Sequence, residues 1–227
     1  MREVLSDAGE QWGIEWLIYN PLLFAWYQKQ ARANAPGVIQ TLERAFPTSH
    51  RYLDVGAGSG AFAAYAQRRG HWVEACEYSW VGRWFSRCQG VRSQRLDLRE
   101  DVPAELDCSF DLAYCFEVAE HLEPSLGDRL VHFVATQAPV VVFSAAHPGQ
   151  GGTGHVNEQP QTYWISRFEA LGMSHRADLS EQLAAGFRQA GTSAWFMDNV
   201  MVFERAAQSS RRRASRRDEP SSAHRTG

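Results

Sequence analysis

The sequence predicts an α/β fold with a mostly parallel sheet, helices on both faces of that sheet and an N-terminal helical cap. Three observations support this fold class. Apolar segments of strand length alternate with segments of helical periodicity from about residue 51 onward, a glycine-rich turn follows the first strand, and acidic residues lie at the ends of four successive strands. Because strand–helix–strand units give parallel pairing, we expect ligand binding at the carboxyl ends of the strands.

Three regions are predicted along the 227 residues: a helical cap over 1–48, the α/β domain over 49–205, and a disordered basic tail over 206–227. In the cap, large apolar residues predict a helix over 12–30 that breaks near Asn20 and Pro21. Pro36 is expected to open a second helix that ends near Phe46. Aromatic residues that are candidates for lining a substrate pocket are Trp16, Tyr19, Trp26, Tyr163 and Trp164.

The α/β domain is predicted element by element from apolar patterning. Strands are expected over 51–55, 71–77, 91–97, 110–116 and 140–144, and helices over 61–69, 79–88 and 126–135. The last third predicts a helix over 161–171, a weak strand over 173–179, a short helix over 180–190 and a closing strand over 195–204.

Composition and charge exclude several classes of protein. No stretch approaches the roughly 20 apolar residues that a membrane span needs, and the first residues lack the pattern of a secretory signal. Four cysteines without paired spacing indicate reduced thiols, so a cytoplasmic location is expected. The net charge is −3, and without the arginine-rich tail the body is more acidic, which argues against a broad nucleic-acid footprint. The sequence carries no signal for an oligomeric state.

Residues 52–61 are the most informative segment of the chain. Here a strand runs into a turn in which Gly56, Gly58 and Gly60 leave the backbone bare, so that a nucleotide-bearing cofactor can lie against it. Asp54, inside the strand, suits a cofactor with a positive end, such as the ammonium and sulfonium of S-adenosylmethionine. It suits a pyrophosphate poorly, because like charges would face each other.

Two further acids complete a cofactor pattern. Glu77, about 20 residues after the turn, can accept hydrogen bonds from both hydroxyls of a ribose. Asp97 can accept from an adenine amino group, while the backbone N–H of the next residue, Leu98, meets a ring nitrogen. The turn also fits the G-x-G-x-x-A fingerprint of dinucleotide enzymes, so a nicotinamide-dependent oxidoreductase is an alternative.

This set of residues resembles the class I S-adenosylmethionine-dependent methyltransferases over about residues 51–204. The resemblance implies a Rossmann-like seven-stranded sheet whose last two strands form an antiparallel pair. It implies that Asp54 and the turn hold the methionine part, Glu77 the ribose and Asp97 the adenine. The cofactor-binding residues predicted on this basis are Asp54, Gly56, Ala57, Gly58, Gly60, Glu77, Tyr78, Asp97, Leu98 and Glu117.

The segment Glu117-Val118-Ala119-Glu120-His121 predicts the site of chemistry. On a helix, Glu117, Glu120 and His121 would share one face and could bind a divalent cation such as Mg²⁺. The segment looks like the Glu-x-x-Glu-His signature of the ubiquinone-pathway O-methyltransferases and the small-RNA 2′-O-methyltransferases, in which a cation grips acceptor hydroxyls. The alternative is that Glu117 faces the cofactor, Glu120 faces solvent and His121 packs near the loop.

The loop over 144–158 is expected to face the transferred methyl group. His155 is a candidate general base or fourth metal ligand, since an imidazole pKa near neutrality suits either role, and Glu158 or Gln159 could orient it. His147 competes with it, and anchoring of a glycine-rich loop is the alternative for both histidines. The predicted catalytic residues are therefore His155, His147 and Glu117, and the predicted metal ligands are Glu117, Glu120, His121 and His155.

The sequence thus predicts a methyltransferase acting on a small-molecule acceptor, at the oxygen of a hydroxyl or carboxylate. An RNA 2′-O-methyltransferase is an alternative that the arginine tail favours and the acidic body opposes. A nicotinamide oxidoreductase and a catalytically idle partner subunit are the two alternatives from other classes.

Overall fold

The computed structural model describes residues 21–100, 106 and 109–205, without the side chain of Leu23. Most of the predicted break near Asn20, the aromatic candidates Trp16 and Tyr19, and the basic tail lie outside these residues. Within the described part of the chain, no helix combines the length and the apolarity needed to cross a bilayer.

A seven-stranded sheet forms the centre of the fold, with strand order β3-β2-β1-β4-β5-β7-β6. Strands β1 to β5 pair in parallel, and β7 runs antiparallel between β5 and β6. The strands are β1 Arg51–Val55, β2 Trp72–Glu77, β3 Ser93–Arg95, β4 Leu112–Phe116, β5 Val140–Ser144, β6 Met173–His175 and β7 Met201–Arg205. The predicted mostly parallel sheet and its antiparallel final pair are confirmed, and the order of strands reverses between β1 and β4, where α/β sheets bind ligands.

Helices cover both faces of the sheet. They are α1 Pro21–Ala45, α2 Ala61–Arg68, α3 Trp80–Cys88, α4 Pro124–Gln137, α5 Gln161–Ala170, α6 Ala177–Gln189 and α7 Ala194–Asn199. On one face α1, α2, α6 and α7 pack around Ile39, Tyr52 and Phe187. On the other, α4 and α5 pack around Phe143 and Trp164, so Trp164 is a core residue and does not line a pocket.

The cap contains one long helix where the sequence predicted two. Pro36 lies inside α1 and does not start a new helix, so that prediction is wrong. A proline inside a helix loses a backbone hydrogen bond, but Val38, Ile39 and Leu42 directly after it are completely buried against the domain. Burial of these side chains offsets the local cost, as tertiary packing often overrides propensity.

Three strand predictions were too long. The strand predicted over 91–97 covers only Ser93–Arg95, and the strand predicted over 173–179 ends at His175, where α6 soon begins. The closing strand predicted over 195–204 starts at Met201, because the residues before it form α7. The ring of Phe196 packs edge-on against Phe62 and Phe116. This aromatic packing is made from helix α7 and does not require the predicted strand.

Candidate functional site

The turn after β1 forms the floor of the candidate binding crevice, which lies at the carboxyl ends of β1 and its neighbouring strands. Gly56, Gly58 and Gly60 all have left-handed backbones, with φ of 73°, 52° and 75°. A Cβ on Gly56 would lie 2.4 Å from Val118, and one on Gly60 would lie 2.4 Å from Ser86, so packing requires both glycines. A Cβ on Gly58 would meet nothing within 4 Å. Gly58 therefore faces open space, where a ligand can lie on bare backbone.

Glu77, at the end of the neighbouring strand β2, holds this turn in place through hydrogen bonds. Its Oε2 accepts the backbone N–H of Gly58 at 2.7 Å, and its Oε1 accepts the N–H of Ser79 at 2.6 Å. Burial raises the pKa of the Glu77 carboxyl, while these backbone donors act in the opposite direction. The structure thus brings Glu77 and the glycine turn together, as the sequence predicted.

Asp54 lies beneath the turn and is almost completely buried. Its Oδ2 has no hydrogen-bond partner among the described residues. Burial raises the pKa of Asp54 to about 7, and the nearby Glu77 carboxyl adds to the rise. A buried carboxyl without a partner is costly in isolation, and a cationic ligand would relieve that cost.

Asp97 follows β3 and carries an ion-pair network that the sequence did not predict. Its carboxylate accepts from Arg95 at 2.7 Å and from Arg99 at 2.9 Å. These bonds, chiefly the one from Arg99, lower the pKa of Asp97. The Arg99 guanidinium also lies 4.8 Å from the ring centre of Tyr78, so Tyr78 and Asp97 are joined through one side chain. Leu98, the next residue, is buried.

The cap reaches this crevice through Phe24. A Cβ on Gly82 of α3 would lie 2.9 Å from both Glu77 and the Gly58 carbonyl oxygen, and 3.0 Å from the ring of Phe24. Phe24 is buried and stacks on Phe85, with ring centres 6.2 Å apart. The helix after β2 can therefore approach the turn only because residue 82 is glycine. Neither Gly82 nor Phe24 belongs to the motif that predicted the site.

Glu117 ends β4 in a left-handed conformation, with φ of 53°. The predicted helical face of 117, 120 and 121 is wrong, because the local structure is a 3-10 turn over Ala119–His121 that begins after Glu117. The Glu117 carboxylate accepts from the amides of Gln150 and Asn199. Sequence reasoning missed both amides: Gln150 is one polar residue in a glycine-rich loop, and Asn199 lies 82 residues from Glu117.

Glu120, His121 and His155 form a second cluster beside Glu117. Ligand atoms from these three residues all lie within 4.8 Å of one another, and Glu117 lies outside this group. Glu120 is fully buried, so the alternative that it faces solvent is wrong, and neither of its carboxylate oxygens is hydrogen-bonded within the described part of the chain. Burial, and then the Glu117 charge, raises the pKa of Glu120. Burial, and then His155, lowers the pKa of His121 to about 4.

The loop between β5 and α5 lies over this cluster. His155 Nδ1 lies 2.8 Å from Glu158, and His121 Nδ1 lies 3.2 Å from the Gly154 carbonyl oxygen. Glu158 also accepts the backbone N–H groups of two loop glycines, at 2.8 and 2.7 Å. His147 is exposed and contacts the carbonyl oxygen of Pro148. The structure therefore joins His155 to the cluster and leaves His147 at the surface.

Comparisons with known proteins identify a family and several similar folds. A family model described as a methyltransferase domain matches residues 27–179, more than half of the chain. No curated protein sequence matches significantly. Among solved structures, a sugar N-methyltransferase from Streptoalloteichus sp. is 16% identical with a TM-score of 0.59, covering 81% of this chain and 91% of its own.

Two further structures share the fold. An amino pentose methyltransferase from Micromonospora echinaspora, solved with S-adenosylmethionine, is 18% identical with a TM-score of 0.57, covering 80% of this chain and 94% of its own. A magnesium protoporphyrin IX methyltransferase from Synechocystis, solved with S-adenosylhomocysteine, is 14% identical with a TM-score of 0.54, covering 78% and 82%. With the strand order and the family match, they show that the chain belongs to the methyltransferase domain family, as a class I S-adenosylmethionine-dependent methyltransferase.

Proposed function

We propose that this protein transfers the methyl group of S-adenosylmethionine to an oxygen of a small-molecule acceptor. One observation carries the proposal: the carboxyl ends of the first strands present, side by side, the buried carboxyl of Asp54, whose Oδ2 has no hydrogen-bond partner among the described residues, an open backbone position at Gly58 and a second buried carboxyl at Glu77. This order of groups fits a ligand with a cationic end and a ribose.

The residues present fit the cofactor part by part. Asp54 and the turn of Gly56, Ala57, Gly58 and Gly60 would hold the methionine part, and Glu77 the ribose hydroxyls. Asp97, Leu98 and Tyr78 would border the adenine. The bound cofactor supplies an electrophilic methyl group. The protein's part is to hold the acceptor atom about 3 Å from that methyl and in line with it.

Glu117 and His155 are the residues proposed to handle the acceptor's proton. Glu117 ends β4 between the turn and the loop, and His155 is held in place through its Nδ1 by Glu158. A carboxylate or a neutral imidazole at this place can take a proton from a hydroxyl as it is methylated. His147 has weaker support as a catalytic residue, because it is exposed and contacts only its neighbour's carbonyl oxygen among its described hydrogen bonds.

The acceptor atom is proposed separately from the cofactor. The similar structures include a sugar N-methyltransferase and an O-methyltransferase family protein, which is why the acceptor atom needs its own test. An RNA 2′-O-methyltransferase is the alternative. It predicts RNA binding that weakens steeply with salt and depends on residues 206–227.

Calorimetric titration with S-adenosylhomocysteine tests the cofactor site. We expect Asp54→Ala and Glu77→Ala each to weaken binding by at least about tenfold. NAD⁺ should give no heat and no rise in melting temperature. Wild-type affinity in both variants, or a response to NAD⁺ alone, contradicts the site assignment.

We further propose that Glu120, His121 and His155 hold a divalent cation; with the ion bound, His155 would be a ligand and Glu117 alone would take the acceptor's proton. The donor set fits such an ion, because the two orphaned oxygens of Glu120 and the imidazole nitrogens of the cluster are ligands that divalent metals accept. The ion would supply polarisation of an acceptor hydroxyl. Glu117, which the sequence placed among the ligands, is proposed to act beside the ion.

Thermal unfolding with and without Mg²⁺ or Mn²⁺ tests the cation site without requiring turnover. The metal should raise the melting temperature of the wild type, and Glu120→Gln should remove that rise. His132→Ala, which changes an exposed histidine on α4, is the matched control and should respond like the wild type. An equal metal response in Glu120→Gln contradicts the cation proposal.

A further inference from the structure

Glu117, Gln150 and Asn199 form a closed ring of hydrogen bonds from three distant parts of the chain. Asn199 Nδ2 lies 3.1 Å from Oε1 and 3.3 Å from Oε2 of Glu117, and it lies 2.8 Å from Oε1 of Gln150. Gln150 Nε2 in turn donates to Oε2 of Glu117 at 3.0 Å. Both carboxylate oxygens of Glu117 therefore meet amide donors, which fix the direction in which the carboxylate points.

The backbone of Glu117 is held as tightly as its side chain. A non-glycine residue with a left-handed φ is uncommon and strained, so the surroundings must impose it. Here the Glu117 N–H donates to the carbonyl oxygen of Ser144 at 3.0 Å and lies 3.2 Å from the Ser144 hydroxyl. Such strained positions cluster at functional sites.

A purely structural role does not explain why residue 199 is asparagine, because its buried side chain destabilises the fold. Asn199 is 1% exposed, and its Oδ1 has no hydrogen-bond partner among the described residues. A buried carbonyl left without a donor destabilises the folded protein. An apolar side chain would fill the same space without that cost, so the benefit of asparagine must lie in its amide, which contacts Glu117 and Gln150.

We propose that Asn199 and Gln150 are positioning residues that orient the Glu117 carboxylate toward the methyl acceptor. The inference rests on the proposed function, in which the acceptor oxygen would take the methyl group of S-adenosylmethionine, S-adenosylhomocysteine would leave, and the proton of the acceptor's O–H would pass to a Glu117 oxygen. Gln150 belongs to the loop that lies over the site, whereas Asn199 ends α7. Glu117 is consequently oriented from two separate parts of the chain.

Kinetics of Gln150→Ala and Asn199→Ala test this inference, with Gln67→Ala as the control. Gln67 is an exposed amide on α2 whose donor contacts the carbonyl oxygen of Val73. Catechol and glucosamine are the acceptor probes, with S-adenosylmethionine labelled in its methyl group. We expect kcat to fall on the order of a hundredfold in both test variants, with KM for the acceptor changed less than about threefold. The control should keep the wild-type rate.

Crystal structures of the variants decide the inference even where neither probe is methylated. We expect the Glu117 carboxylate to leave its wild-type position in Gln150→Ala and in Asn199→Ala, and to keep it in Gln67→Ala. A Glu117 side chain that stays in place in both test variants, or a rate unchanged in both, overturns the inference. Affinity for S-adenosylhomocysteine within about twofold of the wild type keeps this outcome separate from a failure of the cofactor site.

Discussion

Glu77 at the end of β2 accepts the backbone N–H of Gly58 from the turn after β1, with 2.7 Å between the two atoms. Its other oxygen accepts the N–H of Ser79, the residue that caps α3. One buried carboxyl thus fixes the glycine turn of one strand and the start of the helix after the next. Charge-assisted bonds of this kind are stronger than neutral ones, so the crevice is held in shape before any ligand enters.

Glu77→Gln should therefore weaken both cofactor binding and stability. An amide offers one acceptor oxygen where the carboxylate offers two, which leaves one backbone N–H unpaired at a cost of about 1 to 3 kcal/mol. Urea unfolding and calorimetry with S-adenosylhomocysteine measure the two effects. Glu74→Gln, on the same strand but with its carboxylate exposed against Gln94, should change neither. Unaltered affinity in Glu77→Gln would count against a ribose contact.

Gly58→Ala should separate ligand contact from backbone strain. Its φ of 52° makes an added Cβ cost about 1 kcal/mol, yet that Cβ would meet no protein atom within 4 Å. Gly172→Ala is matched, since Gly172 also has a left-handed φ and open space around it, but it lies between α5 and β6. We expect similar losses of stability in the two variants and a loss of S-adenosylhomocysteine affinity only at position 58. Equal affinities would place the ligand elsewhere.

Asp97→Asn should weaken cofactor binding with little loss of stability. The partners of Asp97 are half-exposed arginines, and ion pairs of that kind contribute less than about 1 kcal/mol. Asp178→Asn is the control, because Asp178 pairs with Arg176 on the surface away from the crevice. Both variants should unfold at nearly the same urea concentration, and only Asp97→Asn should bind S-adenosylhomocysteine more weakly. Weaker binding in both would indicate a general electrostatic effect.

The sheet and the cofactor acids were predictable from sequence because each depends on local pattern. The strands over 51–55 and 140–144 are mostly apolar, as buried parallel strands are, with Arg51, Asp54 and Ser144 as the exceptions, and their bounds are confirmed. Asp54 and Glu77 lie at fixed distances from the glycine turn. Their position at one edge of the sheet follows from parallel pairing alone.

The remaining parts of the site depend on contacts that no local pattern records. Pro36 stays inside a helix because residues after it are buried by the domain, and burial is a property of the folded chain. Asn199 meets Glu117 across 82 residues, through the antiparallel pairing of β7 with β5. Glu120 was predicted as a metal ligand, with exposure to solvent as the alternative, and its burial beneath the loop whose backbone N–H groups bind its carbonyl oxygen was not predicted.

The raised pKa of Asp54 makes stability and ligand binding depend on pH in opposite directions. Its ordinary value is 3.8 and its folded value is about 7, so between these values the folded protein keeps a proton that the unfolded chain has lost. Stability of the unliganded protein should therefore fall as pH rises through this window and level off above pH 7. Asp54→Asn cannot titrate, and its stability should lack this part of the slope.

Binding of a cationic ligand requires Asp54 in its ionised form, so affinity should rise over the same window. With a pKa of about 7, the ionised fraction grows about fivefold between pH 6 and pH 7, and the affinity for S-adenosylhomocysteine should grow by the same factor. The ligand's own α-amino group stays protonated in that range, because the α-amino group of a peptide already has a pKa of about 7.7 to 8.0 and the neighbouring carboxylate of a free amino acid raises it further. Calorimetry at both pH values measures the change, and the Asp54→Asn variant isolates the part due to Asp54, since Glu77 also has a raised pKa. The same pH dependence in Asp54→Asn would show that Asp54 does not meet the ligand's ammonium group.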